Sequence, residues 1–246
     1  MRKSISPFIA VLLSCCLNLS ANDSNLRRVV AEHATPDLQF EANQGQSSPE
    51  VKFLVHADKY ALWLTADGGL LSMNSSSAKR AARERIRMHL LNANPSARVG
   101  GEELQPGVSN YLIGPSSNWK TGISNYAKVR YKEIYNGIDL VYHGEGQNLE
   151  YDFVVKPGAD PNQIRFELES SSKIELNSSG DLAVGGSKAI WERPHAYQES
   201  KGSRRPISAS YRLLDGNTVA FEVGAMITVN RLLLIRPSSM DKPEAP

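Results

Sequence analysis

Apolar and polar residues alternate with period two along most of the chain from residue 38 onward. That period sends successive side chains to opposite faces of a strand, whereas a helix face recurs every three to four residues. The runs 51–55 (VKFLV) and 60–65 (YALWLT) read as strands rich in β-formers, punctuated by Asp58 and by Asp67-Gly68-Gly69. Ile86, Met88 and Leu90 alternate with Arg87 and His89. Ile164, Phe166 and Leu168 alternate with Arg165, Glu167 and Glu169. Ile174 and Leu176 are joined to Leu182 and Val184 across the turn 178–181 (SSGD). A three-residue loop, Asp215-Gly216-Asn217, sets Tyr211 opposite Phe221 and Leu213 opposite Val219, apolar against apolar. No stretch carries a helical apolar stripe longer than about two turns.

The densest pattern lies at 138–154. Ile138, Leu140 and Tyr142 alternate with Asp139, Val141 and His143, and Leu149, Tyr151 and Phe153 alternate with Glu150, Asp152 and Val154. With 144–147 (GEGQ) as the loop, Tyr142 faces Leu149, Leu140 faces Tyr151 and Ile138 faces Phe153. The opposite face then sets Asp139 against Asp152, with Glu150 one step along. Like charges directly opposite are unfavourable, so these carboxylates need water, a shared proton, an arginine or a cation. Arg130, Lys132 and Arg165 are candidate partners, and calcium is a candidate cation held by Asp139, Glu150 and Asp152, since hard oxygen ligands suit it.

Turn signals recur about every ten residues, as in sandwiches and barrels. The pattern predicts an all-β, antiparallel, sandwich-like fold, built as two lobes or as one large irregular sandwich. The lobes would span 38–161, interrupted by a basic linker at 75–85, and 162–237, with a polar lead-in at 22–37 and a tail at 238–246. With 246 residues and 41% hydrophobic content, the chain can bury one large core or two small ones. A formal charge of +2 supplies no global pull toward nucleic acid.

The N-terminus changes the picture. Arg2 and Lys3 precede an apolar run at 5–19, short of the roughly 20 residues a membrane span needs, and Ser20-Ala21 offers a small-residue cleavage site. Residues 1–21 therefore read as a signal peptide, and the chain as exported to the envelope or beyond. Leu12-Leu13-Ser14-Cys15 also resembles a lipobox, which would make Cys15 a lipid anchor. Both cysteines, Cys15 and Cys16, sit in this segment, so a cut after Ala21 leaves no thiol. That excludes a cysteine nucleophile, a zinc-thiolate site and an iron–sulfur cluster. No second long apolar run follows, so the mature chain carries no transmembrane segment.

Catalytic motifs are sparse. His33, His56, His89, His143 and His195 show no H-E-x-x-H spacing, and there is neither a G-x-S-x-G elbow nor a phosphate loop. The S-x-x-K matches at 76–79 and 117–120 fall in a linker and a loop. The basic run 79–87 is either a solvated linker or a contact for acidic envelope polymers or lipid headgroups. Tyr111, Trp119, Tyr126, Tyr131, Tyr135, Tyr142 and Tyr151 crowd one segment. Buried, these rings fill a core; exposed, Trp119, Tyr126 and Tyr131 are candidates to stack on a ligand such as a sugar. The leading reading is a non-enzymatic structural or recognition module with an envelope or extracellular protein or glycan as partner. The alternative is a carbohydrate-active enzyme using Asp139, Asp152 and Glu150.

A longer set of motifs carries a family resemblance. The stretches 40–46 (FEANQGQ), 110–114 (NYLIG), 119–121 (WKT), 129–131 (VRY), 135–142 (YNGIDLVY), 149–153 (LEYDF), 157–161 (PGADP), 180–182 (GDL) and 194–198 (PHAYQ) occur in order. Together they resemble the N-terminal domain of unknown function of secreted bacterial proteins with SBBP-type β-propeller repeats, over about 38–237. The resemblance implies an exported β-rich module and supplies no catalytic residues. Where that family closes with I-D-P before its repeats, this chain reads Leu234-Ile235-Arg236-Pro237.

Overall fold

The computed structural model describes residues 37–73, 84–184, 189–200, 203–224 and 232–237. Residues from Thr35 onward form one compact unit. The expected signal segment at 1–21 with Cys15, nearly all of the lead-in at 22–37, the tail at 238–246 and most of the basic linker lie outside the described residues.

The chain is all-β, as its period-two pattern predicts. The strands are β1 (Phe40–Ala42), β2 (Phe53–His56), β3 (Tyr60–Thr65), β4 (Gly68–Met73), β5 (Arg85–Leu90), β6 (Arg98–Tyr111), β7 (Lys120–Tyr135), β8 (Ile138–Glu145) and β9 (Asn148–Val155). They continue as β10 (Arg165–Glu169), β11 (Ile174–Leu176), β12 (Leu182–Val184), β13 (Ile190–Trp191), β14 (Pro194–Ser200), β15 (Ser203–Ile207), β16 (Ala209–Leu214), β17 (Thr218–Val223) and β18 (Leu232–Pro237). The described helices are two single 3-10 turns, Ser116–Asn118 and Pro161–Gln163.

One antiparallel ladder runs β15-β14-β18-β9-β8-β7-β1-β2-β3-β4-β5-β10-β17-β16, with β6 on the free side of β7, and β11-β12-β13 form a small separate sheet. The pivot is β7. Its second half pairs with β8 from Lys128 onward, and its first half pairs with β1 at Asn125 and Tyr126. That hand-over folds the ladder into two facing layers, which tyrosine hydroxyls tie together. Tyr131 on β7 donates to the Thr65 carbonyl at 2.6 Å, Tyr135 to the Arg165 carbonyl at 2.8 Å, and Tyr60 on β3 to the Gln147 carbonyl at 3.0 Å. Between the layers, adjacent rings follow one another through Tyr131, Tyr142, Tyr151, Phe153 and Phe221 at centroid spacings of 5.6–5.9 Å. Such spacing suits tilted and edge-to-face aromatic packing, and burial of these rings supplies much of the core's apolar area.

A boundary at 161–162 has no counterpart in the sheet. β10 pairs with β5, and β18 pairs with β9, so strands of the expected 162–237 lobe flank those of the 38–161 lobe on both sides within one ladder. One large irregular sandwich, the second architecture the pattern left open, fits these pairings. The register of β16 and β17 is as expected, with Tyr211 opposite Phe221 and Leu213 opposite Val219. The register of β8 and β9 is not. Tyr142 pairs with Tyr151, Leu140 with Phe153 and Ile138 with Val155, because the turn is the tight pair Gly146-Gln147, with Gly146 at φ +60°. The slip is two residues, so every side chain keeps its face.

Candidate functional site

The two-residue slip rearranges the hairpin carboxylates. Asp139 now opposes Val154, and Asp152 opposes Val141. The two aspartates are diagonal neighbours, about 7–8 Å apart along the ladder, rather than a facing pair. Each is buried and engaged. Asp139 accepts from Arg130 Nη1 at 3.2 Å and from the Glu133 backbone N–H at 2.9 Å. His143 stands between the other two, with Nε2 3.3 Å from Asp152 Oδ2 and Nδ1 3.9 Å from Glu150 Oε2. Among the described residues, no three His, Cys, Asp or Glu side chains converge as a metal site would require.

Asp139 has a structural consequence further away. Its bond to Glu133 fixes a backbone irregularity in β7, where Glu133 takes φ +56°. The Glu133 side chain, in ion-pair contact with Lys156, accepts from the Gly137 N–H at 3.0 Å. The Glu133 carbonyl accepts from Asn94 Nδ2 at 3.0 Å, and the Asn94 N–H bonds the Ile134 carbonyl at 2.8 Å. The hairpin carboxylate thus braces the loop at 92–95.

The ring candidates separate by burial. Tyr131 is fully buried and belongs to the core, so it offers no ligand a face. Tyr126 is half-buried, edge-on to Phe53 at 5.9 Å and laid over Gly101, where a Cβ would approach its ring to 2.4 Å. Trp119 is 45% exposed at the end of the β6–β7 arm, its Nε1 donating to the Gly114 carbonyl at 3.2 Å.

A groove lies elsewhere, on the outer face of β3, β4 and β5. The ladder aligns Trp63, Leu70 and Arg87 in one row and Thr65, Gly68 and His89 in the next. Alternation explains the faces: Leu62, Leu64, Ile86, Met88 and Leu90 point into the core, so their neighbours point out. Two clefts of about 420 and 650 Å³ share Glu50, Thr65 and Arg87 and so form one continuous depression. The smaller one is walled by Trp63, Ser47, Ser48, Ser72 and Arg85. The larger one adds Lys52, Asp67, His89 and the braced loop with Asn94.

Close backbone approach builds the larger cleft. Gly68 sits at φ +150°, and a Cβ there would fall 2.0 Å from the Met88 carbonyl oxygen. Only glycine lets the β3–β4 turn press against β5. The Leu90 N–H then bonds the Asp67 carbonyl at 2.8 Å, and His89 Nδ1 comes to 3.2 Å from Asp67 Oδ2. The Thr65 hydroxyl, donating to Asp67 Oδ1 at 2.7 Å, holds that carboxyl below its ordinary value. The residue's backbone N–H, His89 and Arg87 help, against the opposing pull of partial burial. Arg87 is 3.9 Å from Glu169 in an exposed pair. Lys52 and Arg85 form no ion pair among the described residues.

The motifs at 40–46, 135–142, 149–153, 157–161 and 194–198 thus all fall within this single sandwich. The family described as "Domain of unknown function (DUF7948)" matches residues 40–238. The chain belongs to this family. No curated protein and no solved structure matches it. Within this DUF7948 domain, the sequence pattern pointed to Arg85 and Arg87 through the basic run, but not to Lys52, Trp63, Asp67 or His89. The available signal was the outward parity of 63 and 65 on one strand and of 85, 87 and 89 on the next. Assembling it requires knowing that the strands are neighbours. Among the described residues, no helix is long and apolar enough to cross a membrane.

Proposed function

We propose that this chain is an exported, non-enzymatic recognition module of the cell envelope or exterior, and that the outer groove of β3–β5 receives its ligand. The observation that carries the reading is the continuous depression itself. It combines a half-buried indole, serine hydroxyls and three cationic side chains around three paired strands, the usual mixture of an apolar platform and a few convergent polar groups. Export is supported by the basic residues and short apolar run at the N-terminus, and by the resemblance to secreted SBBP-associated domains. The hairpin acids do not support the enzymatic alternative. A general acid or nucleophile must reach substrate, whereas Asp139 and Asp152 are buried against Arg130 and His143.

Two measurements test this reading. Mass spectrometry of the native protein should find a chain beginning near Asn22 or a lipidated one beginning at Cys15; an intact Met1 species in the cytoplasm would remove export. Pull-down of fractionated envelope polymers should retain a ligand with the wild type and lose it with Trp63→Ala. Equal retention by both would remove the groove from the function.

A further inference from the structure

We propose that the groove takes an acidic polysaccharide, with a sugar ring against Trp63 and a ligand carboxylate seated in the larger cleft between Lys52 and Arg87. The inference rests on the groove being the ligand surface and adds the chemical class and polarity of what lies in it.

The first argument is the order of chemistry along the depression. Trp63, Leu70 and Val51 line the smaller cleft, and three serines border them. An indole face flanked by hydroxyls suits a sugar ring, which presents C–H groups on its face and hydroxyls at its rim. Arg87 lies in the same ladder row as Trp63, with Leu70 between, so about two strand spacings of 4.7–4.9 Å separate their backbones. A polymer crossing β3, β4 and β5 along that row meets the ring platform and then the guanidinium.

The second argument is charge. Lys52, Arg85 and Arg87 line the depression against Glu50 and Asp67. Asp67 is held by Thr65 and His89 and offsets part of the charge of Arg87, yet the three cations lining the depression still outnumber its two carboxylates. Arg87 meets Glu169 only at 3.9 Å, in an exposed pair of small intrinsic worth. A ligand carboxylate can replace that contact with a bidentate one, for which the planar guanidinium is preorganised. Lys52 supplies a second charge, and its backbone is pinned, since its N–H bonds the Leu64 carbonyl at 2.7 Å.

The third argument is rigidity. The floor is three paired strands, and the far wall at 92–95 is tied to β7 through Asn94 and the Glu133 irregularity. A preformed cleft loses little entropy on binding.

The test uses the full chain and titration calorimetry with oligogalacturonate, its neutral oligogalactoside counterpart and inorganic polyphosphate. Oligogalacturonate should bind, the neutral oligomer should bind weakly, and affinity should fall as salt rises. Lys52→Gln with Arg87→Gln should cost on the order of tenfold or more in oligogalacturonate affinity, the size expected for losing charge-assisted hydrogen bonds. Glu50→Gln removes a competing carboxylate and should tighten binding severalfold. Unchanged affinity in both variants overturns the carboxylate subsite. If Trp63→Ala alone then abolishes capture of envelope polymer, the groove survives without it; if Trp63→Ala is also silent, both readings fall. Polyphosphate binding more tightly than oligogalacturonate overturns the sugar assignment.

Discussion

Two outer faces of one ladder carry similar acid–base chemistry and treat it in opposite ways. On β7–β9, Asp139, Glu150 and Asp152 are buried, and arginine, lysine and histidine side chains close over them. On β3–β5, Asp67 and His89 form a comparable pair, yet their side chains are 58% and 42% exposed and line an open cleft. Burying a charge is tolerable only when a partner and hydrogen bonds replace its water, so the first face is committed to holding the fold. The second keeps its charges hydrated and free to exchange partners.

The comparison is easiest to break at Asp139. Asp139→Ala removes one of the two carboxylates on the half-buried Arg130 guanidinium and the acceptor for the Glu133 N–H, and losing two hydrogen bonds to a charged group should cost about 3–5 kcal/mol in urea melts. A loss below about 1 kcal/mol would place Asp139 with the exposed face instead. The variant should also loosen the 92–95 wall, visible as faster amide exchange at Asn94. Phe153→Ala, beneath the same hairpin and fully buried, should lose a similar 3–5 kcal/mol and calibrates the assay.

The tie between the layers is the next test. Tyr131→Phe deletes the bond to the Thr65 carbonyl and should cost about 1–2 kcal/mol. Alkaline titration examines the same hydroxyls together. Burial raises Tyr135 to about 12, and Tyr131, Tyr142, Tyr151 and Tyr211 further, with burial the leading cause in each. The folded state therefore favours the neutral phenol. Stability is intact below the ordinary tyrosine value near 10 and drains away as pH rises through the raised values. Absorbance near 295 nm should show these phenols ionising only with unfolding. Smooth titration at ordinary pH would contradict their burial.

Smaller effects belong to the open face. Asp67 is lowered in the folded state, so its contribution is present above the ordinary aspartate range and is lost as pH falls through its depressed value. Asp67→Asn should lower the neutral-pH melting temperature slightly and erase part of the acid-side loss below about pH 4. Arg87→Gln should stay within about 0.5 kcal/mol of wild type while altering binding. A strongly destabilised Arg87→Gln would make the groove structural.

Face assignments were legible in the residues, and pairings only partly so. Alternation at 209–223 fixed both, because Asp215-Gly216-Asn217 leaves one compact loop. At 138–155 alternation is blind to a slip of two, and Gly144 and Gly146 each offered a turn. The long β6–β7 arm escaped notice because both its faces meet solvent over much of its length, leaving Leu104 and Val108 exposed and no clean periodicity. The groove was illegible for another reason. Its residues are unremarkable on any one strand and become a site only when β3, β4 and β5 lie side by side.

The ladder order also sets a timetable. β1 is wedged between β2 and β7, β5 waits for β10, and β9 waits for β18. Few of these partners adjoin in sequence, and β9 gains its second neighbour only once Leu233, Leu234 and Ile235 have been made. Long-range pairing of this kind folds slowly. On the proposed export route, slowness is an asset: the chain remains threadable while β18 is still being made, and completes the β9–β18 pairing on the far side.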